Sequence, residues 1–120
     1  MKKSKEIFSE QYIYYVLEMR KATFKGDYRT NNKYARKINK LKAQYKNEDY
    51  FANALSIMID SDNLEIAMNA ASDSLRNNVN IDKAIKRLEE ISKKENSAEW
   101  GVFRAEIVLR IWREKGAEGL

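Results

Sequence analysis

The chain has 120 residues, of which 43% are hydrophobic, and it contains no Cys, no His and no Pro. This length and composition predict one folded domain with its own core and argue against disorder. The missing residue types exclude disulfides, structural zinc, thiol nucleophiles and imidazole bases, so we expect no enzyme, no metal site and no cofactor. The shortage of turn-forming residues favours helices over a β-rich fold.

The net charge of +5 is unevenly distributed along the chain. Residues 1–46 hold 13 basic and four acidic side chains, a net charge of +9, whereas residues 47–120 hold ten basic and 14 acidic ones, a net charge of −4. From Asn47 to Leu75 there are six acidic side chains and no basic one. We therefore expect a basic end and an acidic belt, which are fields that steer charged partners.

The sequence predicts no membrane segment. No apolar run approaches the roughly 18 residues that are needed to cross a bilayer. The segment after the basic N-terminus carries Glu10, Gln11 and Glu18, which the apolar part of a signal peptide would lack. We expect a cytoplasmic protein that does not bind membranes.

The first predicted elements are two helices joined by a turn. The first is expected over about Ser4–Phe24 and should end at Gly26, which tolerates the left-handed backbone conformation. Its predicted core face consists of Phe8, Tyr12, Tyr15, Val16, Met19 and Thr23. The second helix is expected to be capped by Thr30 or Asn31. Its predicted core stripe consists of Tyr34, Ile38, Leu41 and Tyr45.

The middle of the chain predicts two further helices. Asn47 followed by Glu48 and Asp49 is a start signal for a third helix over about Glu48–Ile59. Its predicted inward residues are Phe51, Ala54, Leu55 and Met58. The acidic turn from Asp60 to Asn63 is expected to cap a fourth helix that carries a face of small residues and runs to about Asn77.

The C-terminal part predicts the fifth and sixth helices. Asn80 is expected to cap the fifth helix, whose inward residues are Ile81, Ala84, Ile85, Leu88 and Ile91. Residues Asn96–Glu99 resemble a capping box at the start of the sixth helix, and Gly116 should end that helix. Because the sixth helix is apolar on most sides, we expect it to be buried or covered on two sides.

Six helices with short turns predict an all-α fold in a single domain over residues 1–120. The arrangement we expect is three antiparallel helical hairpins stacked as a short superhelix. A compact six-helix bundle is the alternative.

A family resemblance supports the stacked arrangement. The segment Asp60–Ile66, followed by Ala70, Ala71 and Leu75, resembles the turn and second helix of a HEAT-type repeat. This chain has Ala67 where HEAT repeats usually have Arg. A second stretch of the chain also resembles this repeat, at Gly101, Arg104, Ala105, Leu109 and Trp112.

The resemblance extends over most of the chain to a small bacterial HEAT-like family of unknown function. Gly26-Asp27-Tyr28, followed by Asn32, Lys33 and Ile38, resembles the first turn of that family. The resemblance implies a noncatalytic binding scaffold. Small domains of this type often look like immunity proteins, which neutralise a bacterial toxin domain by covering it.

The acidic belt and one tyrosine are the candidate contacts for a protein partner. The belt consists of Glu48, Asp49, Asp60, Asp62, Glu65 and Asp73. It could bind a basic partner such as a nuclease-type toxin domain, by mimicking nucleic acid. Its plainer interpretation is a solvated face, with Asp60 and Asp62 acting as helix caps. Tyr14 points away from the predicted core face, and exposed Tyr is enriched at interfaces.

The second helix offers an alternative function, nucleic-acid binding. Its basic residues are interleaved with Tyr28 and Tyr34, a combination that suits phosphate contact and base stacking. The candidate contacts are Arg29, Lys33, Arg36, Lys37 and Lys40. A solvated helix face is the plainer interpretation here too. Our leading expectation remains a protein-binding immunity protein that forms a 1:1 complex with its toxin.

Overall fold

A computed structural model describes residues 2–93 and 100–120 of the chain, with side chains from residue 104 onward in the second range. The α-helices are α1 (Lys5–Lys25), α2 (Tyr28–Tyr45), α3 (Phe51–Ile59), α4 (Leu64–Arg76), α5 (Ile81–Ser92) and α6 (Trp100–Lys115), followed by a short 3-10 helix, Gly116–Gly119. No strand occurs in the described residues, so the all-α prediction is confirmed. The predicted capping box at Asn96–Glu99 lies outside the described residues.

The chain divides into two compact units, Met1–Ala54 and Leu55–Leu120, and α3 spans the division. The single domain over residues 1–120 stays a prediction. None of the helices in the described ranges is long and apolar enough to cross a membrane.

The first unit is built on the packing of α1 against α2. Gly26 ends α1 with φ at +68°, as predicted, and Asp27 completes the turn. The predicted cap at Thr30 or Asn31 is wrong, because α2 begins at Tyr28 and the Asp27 carboxylate accepts a hydrogen bond from the Thr30 N–H at 3.1 Å. Hydrogen bonds from the Thr30 side chain and from its backbone N–H hold the pKa of the Asp27 carboxyl below its usual value. A two-residue turn makes α1 and α2 antiparallel neighbours.

Aromatic rings fill the core of the first unit. The fully buried ring of Phe8 lies 5.7 Å from Tyr12, 5.1 Å from Tyr45 and 5.5 Å from Phe51, measured between centroids. Such ring pairs stabilise a core beyond the area that they bury. Val16, Ile38 and Leu41 are also buried as predicted.

The predicted core face of α1 is wrong at its C-terminal end. Thr23 is exposed there, and Ala22 is buried instead. The Thr23 hydroxyl donates to the Met19 carbonyl at 3.0 Å and accepts from the Asn31 amide. Burial of this hydroxyl in an apolar core would cost free energy, whereas at the surface it keeps its hydrogen bonds.

Helix α3 is shorter than its sequence signal suggests. It begins at Phe51 rather than Glu48, because the Glu48 N–H bonds to the Tyr45 carbonyl and the Phe51 N–H bonds to the Glu48 carbonyl. Residues 46–50 therefore form turns. The predicted inward residues of α3 are confirmed as buried: Phe51, Ala54, Leu55 and Met58.

In the second unit, α4 packs against α5, α6 and the Gly116–Gly119 helix, and α5 packs against α6. Every α4 residue from Glu65 to Leu75 is buried. The enclosed helix is thus α4. Helix α6, predicted to be buried or covered on two sides, packs against both α4 and α5, but it is not fully buried, since Ile107 is 45% exposed. The small side chains of α4 explain why α4, and not α6, is the enclosed helix, because small residues let neighbouring helices approach closely.

Two capping predictions in this unit are wrong in detail. The cap of α4 is Asn63, whose side-chain oxygen accepts from the N–H groups of Glu65 at 3.0 Å and Ile66 at 3.2 Å. Asp60 and Asp62 therefore do not supply the cap. Asn80 occupies the cap position of α5 with φ at +50°, but its side chain makes no capping bond and instead donates to the Ser74 hydroxyl at 3.3 Å.

Replacement of the cap gives the first testable prediction. We expect Asn63→Ala to lower the free energy of unfolding by about 1 kcal/mol, because two backbone N–H groups lose their acceptor. Urea denaturation measures the change. The matched control is Asp62→Ala at the exposed neighbouring position, for which we expect a change within about 0.5 kcal/mol. Equal losses in the two variants would contradict the assignment of the cap to Asn63.

Candidate functional site

Two of the six predicted belt residues are buried in α4. Glu65 is 5% exposed and Asp73 is 2% exposed. The Glu65 carboxylate accepts from the Arg104 guanidinium of α6 at 2.5 Å and from the Asn69 amide at 3.1 Å. The Asp73 carboxylate accepts from the Arg76 guanidinium at 2.7 Å. The prediction of an exposed acidic belt is therefore wrong at Glu65 and Asp73. A buried carboxylate has lost its contact with water, so it needs a cation beside it inside the protein.

The other four acids lie nearer the surface and belong to different units. Glu48 is half-buried and lies 3.8 Å from the Lys3 ammonium, within the first unit. Asp60 is exposed and lies 2.6 Å from the Lys83 ammonium, within the second unit. Asp49 and Asp62 are exposed. Four of the six belt carboxylates thus have a cationic partner within the chain.

The buried pair of Glu65 and Arg104 gives the second testable prediction. We expect Arg104→Met to lower the free energy of unfolding by about 3 kcal/mol, because it leaves a buried carboxylate without this partner. Adding Glu65→Gln should recover part of the loss. The control is Lys21→Met at the exposed pair of Lys21 and Glu18, for which we expect about 0.5 kcal/mol or less. Similar losses for Arg104→Met and Lys21→Met in chemical denaturation would refute the structural role of the buried pair.

The five predicted nucleic-acid contacts share one stripe of α2. With 3.6 residues per turn, they fall within roughly 100° of the helix circumference. All five are exposed: Arg29, Lys33, Arg36, Lys37 and Lys40. Helix α2 contains no acidic residue, and within residues 2–93 and 100–120 none of the five forms an ion pair. This stripe is positive charge that the described part of the chain does not neutralise.

A cluster of tyrosines borders the stripe. The Tyr34 ring lies 6.2 Å from Tyr14, edge to face, and 5.9 Å from Tyr15. The Lys37 ammonium is 5.4 Å from the Tyr15 centroid and 6.0 Å from that of Tyr34, and the Lys33 ammonium is 5.6 Å from Tyr34. These distances are typical of cation–π contacts. We call the five basic residues of the stripe and these three tyrosines the basic–aromatic face.

Tyr14 is the most open ring of this face, with 54% of the residue exposed, as its predicted position off the core suggested. A hydrogen bond with Tyr34 raises the pKa of the Tyr14 phenol. Tyr34 itself is only half-buried, so its assignment to the core stripe is wrong. It pairs with Tyr14 and Tyr15 across the hairpin. That pairing depends on how α1 meets α2, which no local spacing in either helix indicates.

Two further rings are exposed, of which Tyr28 was predicted to lie among the basic residues of α2 and Phe24 was not predicted as a candidate. Phe24 is 75% exposed and Tyr28 is 79% exposed, and both lie beside the turn at Gly26 and Asp27. The Arg20 guanidinium lies 4.7 Å from the Phe24 ring. Their position next to the turn was the available signal, because rings at the end of a hairpin have few neighbours to cover them.

Two small concavities lie among the described residues of the second unit. One, of about 250 Å³, is lined by α4, α6 and the C-terminal residues, and includes Arg76 and Arg104. The other, of about 300 Å³, includes Lys83 and Arg87, which bond to backbone carbonyls of Ser56, Ile59 and Ser61. Their cations are engaged within the protein. In the described ranges, no group of three or more acidic side chains is placed to hold a metal ion.

No protein-family model, curated protein or solved structure matches this chain. The resemblance to HEAT-type repeats therefore stays a prediction from the residues quoted above. The basic–aromatic face is the candidate site, because it brings exposed cations and tyrosine rings together on one hairpin.

Proposed function

We propose that this chain is a noncatalytic protein-binding module, most concretely an immunity protein that neutralises a bacterial toxin domain by direct binding. The observation that carries the proposal is a contrast between the acidic belt and the basic stripe of α2. Four of the six belt acids have a cationic partner, whereas the five cations of the α2 stripe have no ion-pair partner in the described residues. Binding capacity is thus concentrated on the basic–aromatic face.

Stability does not account for this arrangement of cations. Arg29 and Lys33, Lys33 and Lys37, and Arg36 and Lys40 are like-charged pairs four residues apart. Such pairs destabilise a helix by about 0.2–0.5 kcal/mol each. An anionic partner would relieve this repulsion, so the stripe fits a binding role better than a folding role.

The aromatic residues favour a protein as the partner. Tyr and Arg are enriched among the residues that dominate binding energy at protein interfaces. The face supplies Tyr14 as an exposed ring and Arg29 and Arg36 as exposed guanidinium groups. A complex of standard size would bury about 1,600 Å² in total. In this proposal the protein covers the active site or substrate groove of the toxin.

The proposed contact surface differs from the one that the sequence suggested. The acidic belt was expected to bind a basic, nuclease-type toxin domain, but Glu65 and Asp73 are buried. The basic–aromatic face instead fits an acidic region of a toxin. The proposal includes a cytoplasmic location and a short HEAT-like stack of hairpins, which is supported by the α1–α2 hairpin and by the packing of α4 against α5.

Nucleic-acid binding is the second candidate function, and the α2 stripe is the observation that favours it. Five exposed cations along one helix could follow a phosphate backbone. Phosphate contacts release counterions, so this function predicts an affinity that falls steeply with salt. A protein complex with aromatic anchors should lose less affinity.

Affinity purification of the tagged chain from its native lysate, with and without nuclease, separates the two functions. We expect one protein partner that survives nuclease, forms a 1:1 complex by light scattering, and stops inhibiting growth when the chain is co-expressed. We expect Tyr14→Ala to weaken this complex by about tenfold, since an exposed aromatic anchor is lost. Partners that disappear with nuclease, or a 1:1 partner that is not toxic, would contradict the immunity function.

A further inference from the structure

Two lysines of the basic–aromatic face contact tyrosine rings of the protein itself. Lys33 contacts the Tyr34 ring, and Lys37 contacts the rings of both Tyr15 and Tyr34. A lysine normally loses much side-chain freedom when it binds, and prior contacts with a ring reduce that cost. The two ammonium groups are thus preorganised beside each other, four residues apart on α2.

The same contacts occupy the rings of Tyr15 and Tyr34, whereas Tyr28 is 79% exposed and lies outside the tyrosine cluster. A base stacks on an open ring face. The Tyr34 ring has Tyr14 and Tyr15 within 6.2 Å and 5.9 Å, and it has two lysine ammonium groups near it. Tyr15 is half-buried and contacts Lys37 as well. The tyrosine cluster is therefore better suited to orienting cations than to stacking bases.

The charge of the surroundings indicates what these cations bind. Helix α2 holds no acid, and residues 1–46 carry a net charge of +9. Among nearby acids, Glu18 is paired with Lys21 at 3.1 Å and Asp27 accepts the capping bond of α2. An ammonium group is a compact point charge that can bind a carboxylate or a phosphate, so the preference for carboxylates comes from the occupied rings of Tyr15 and Tyr34. Lys33 and Lys37 are four residues apart, which is a rise of about 6 Å along the helix axis.

We propose that Lys33, Lys37 and Tyr14 form the centre of the interface, and that they bind an acidic protein segment whose carboxylates lie one helical turn apart. This inference rests on the proposed function and specifies the chemistry of the partner. The two ammonium groups contact the two carboxylates, and the exposed Tyr14 ring packs against the apolar stems of the acidic side chains.

A peptide and an oligonucleotide of equal net charge test the inference on the full chain. The peptide is helical, with Glu at every fourth position, and it carries a fluorophore for anisotropy measurements. The oligonucleotide is a labelled thymidylate strand. Near physiological ionic strength, we expect the full chain to bind the peptide at least about tenfold more tightly than the oligonucleotide.

Paired variants locate the interface. We expect Lys33→Glu with Lys37→Glu to weaken peptide binding by at least about tenfold. The matched control is Lys86→Glu with Lys93→Glu, which makes the same charge change at two exposed lysines of the second unit and should weaken binding less than about threefold. Circular dichroism confirms that both double variants are folded. Lys33→Arg with Lys37→Arg should restore most of the binding.

Three results would overturn the inference. One is tighter binding of the oligonucleotide than of the peptide. Another is equal weakening in the two charge-reversal variants, which would show an effect of net charge alone. The third is a native toxin complex that forms normally with Lys33→Glu and Lys37→Glu, in which case the proposed function stands and this interface does not. If no protein partner is found and the oligonucleotide binds, both proposals fail.

Discussion

The enclosure of α4 is the constraint on which the charge distribution of the second unit depends. A helix whose residues are buried from Glu65 to Leu75 can hold carboxylates only when cations reach them. Arg104 from α6 and Arg76 from the last turn of α4 supply those cations. Two acids are removed from the surface in this way, and two arginines have their charges engaged inside the unit.

The first unit shows the opposite distribution. Its core is made of Phe8 and the rings around it, so the outer stripe of α2 remains free to carry charge. Lys33 and Lys37 of that stripe contact tyrosine rings rather than carboxylates. Cation–π contacts orient an ammonium group without neutralising its charge. Four of the six belt acids are therefore paired with cations, whereas the α2 stripe presents positive charge that no ion pair in the described residues neutralises.

Much of the fold could be predicted from local patterns. The left-handed Gly26 and the inward side chains of α3 depend on neighbours within a few residues, and these predictions are confirmed. The core face of α1 is confirmed at Phe8, Tyr12 and Val16 but not at Thr23, which is exposed. The start of α3 was wrong because turn bonds at Glu48 compete with the helix signal there. The predicted polar turn does cap α4, but through Asn63 rather than Asp60 or Asp62.

The candidate site was harder to predict, since it depends on how helices meet. The exposed cations of α2 follow from its apolar stripe, and their positions could be predicted. The ring cluster of Tyr14, Tyr15 and Tyr34 forms only because α1 packs against α2. The burial of Glu65 likewise needs Arg104, which is 39 positions away in sequence. A single sequence shows no spacing that joins residues at such separations.

The most direct test of the account is lysine acetylation of the chain with and without its native partner, read by mass spectrometry. Acetylation reports which ammonium groups a partner covers, without any substitution in the protein. The account predicts that Lys33, Lys37 and Lys40 are protected in the complex, while Lys86 and Lys93 stay reactive. Protection of Lys86 and Lys93 with no protection of the α2 lysines would contradict it.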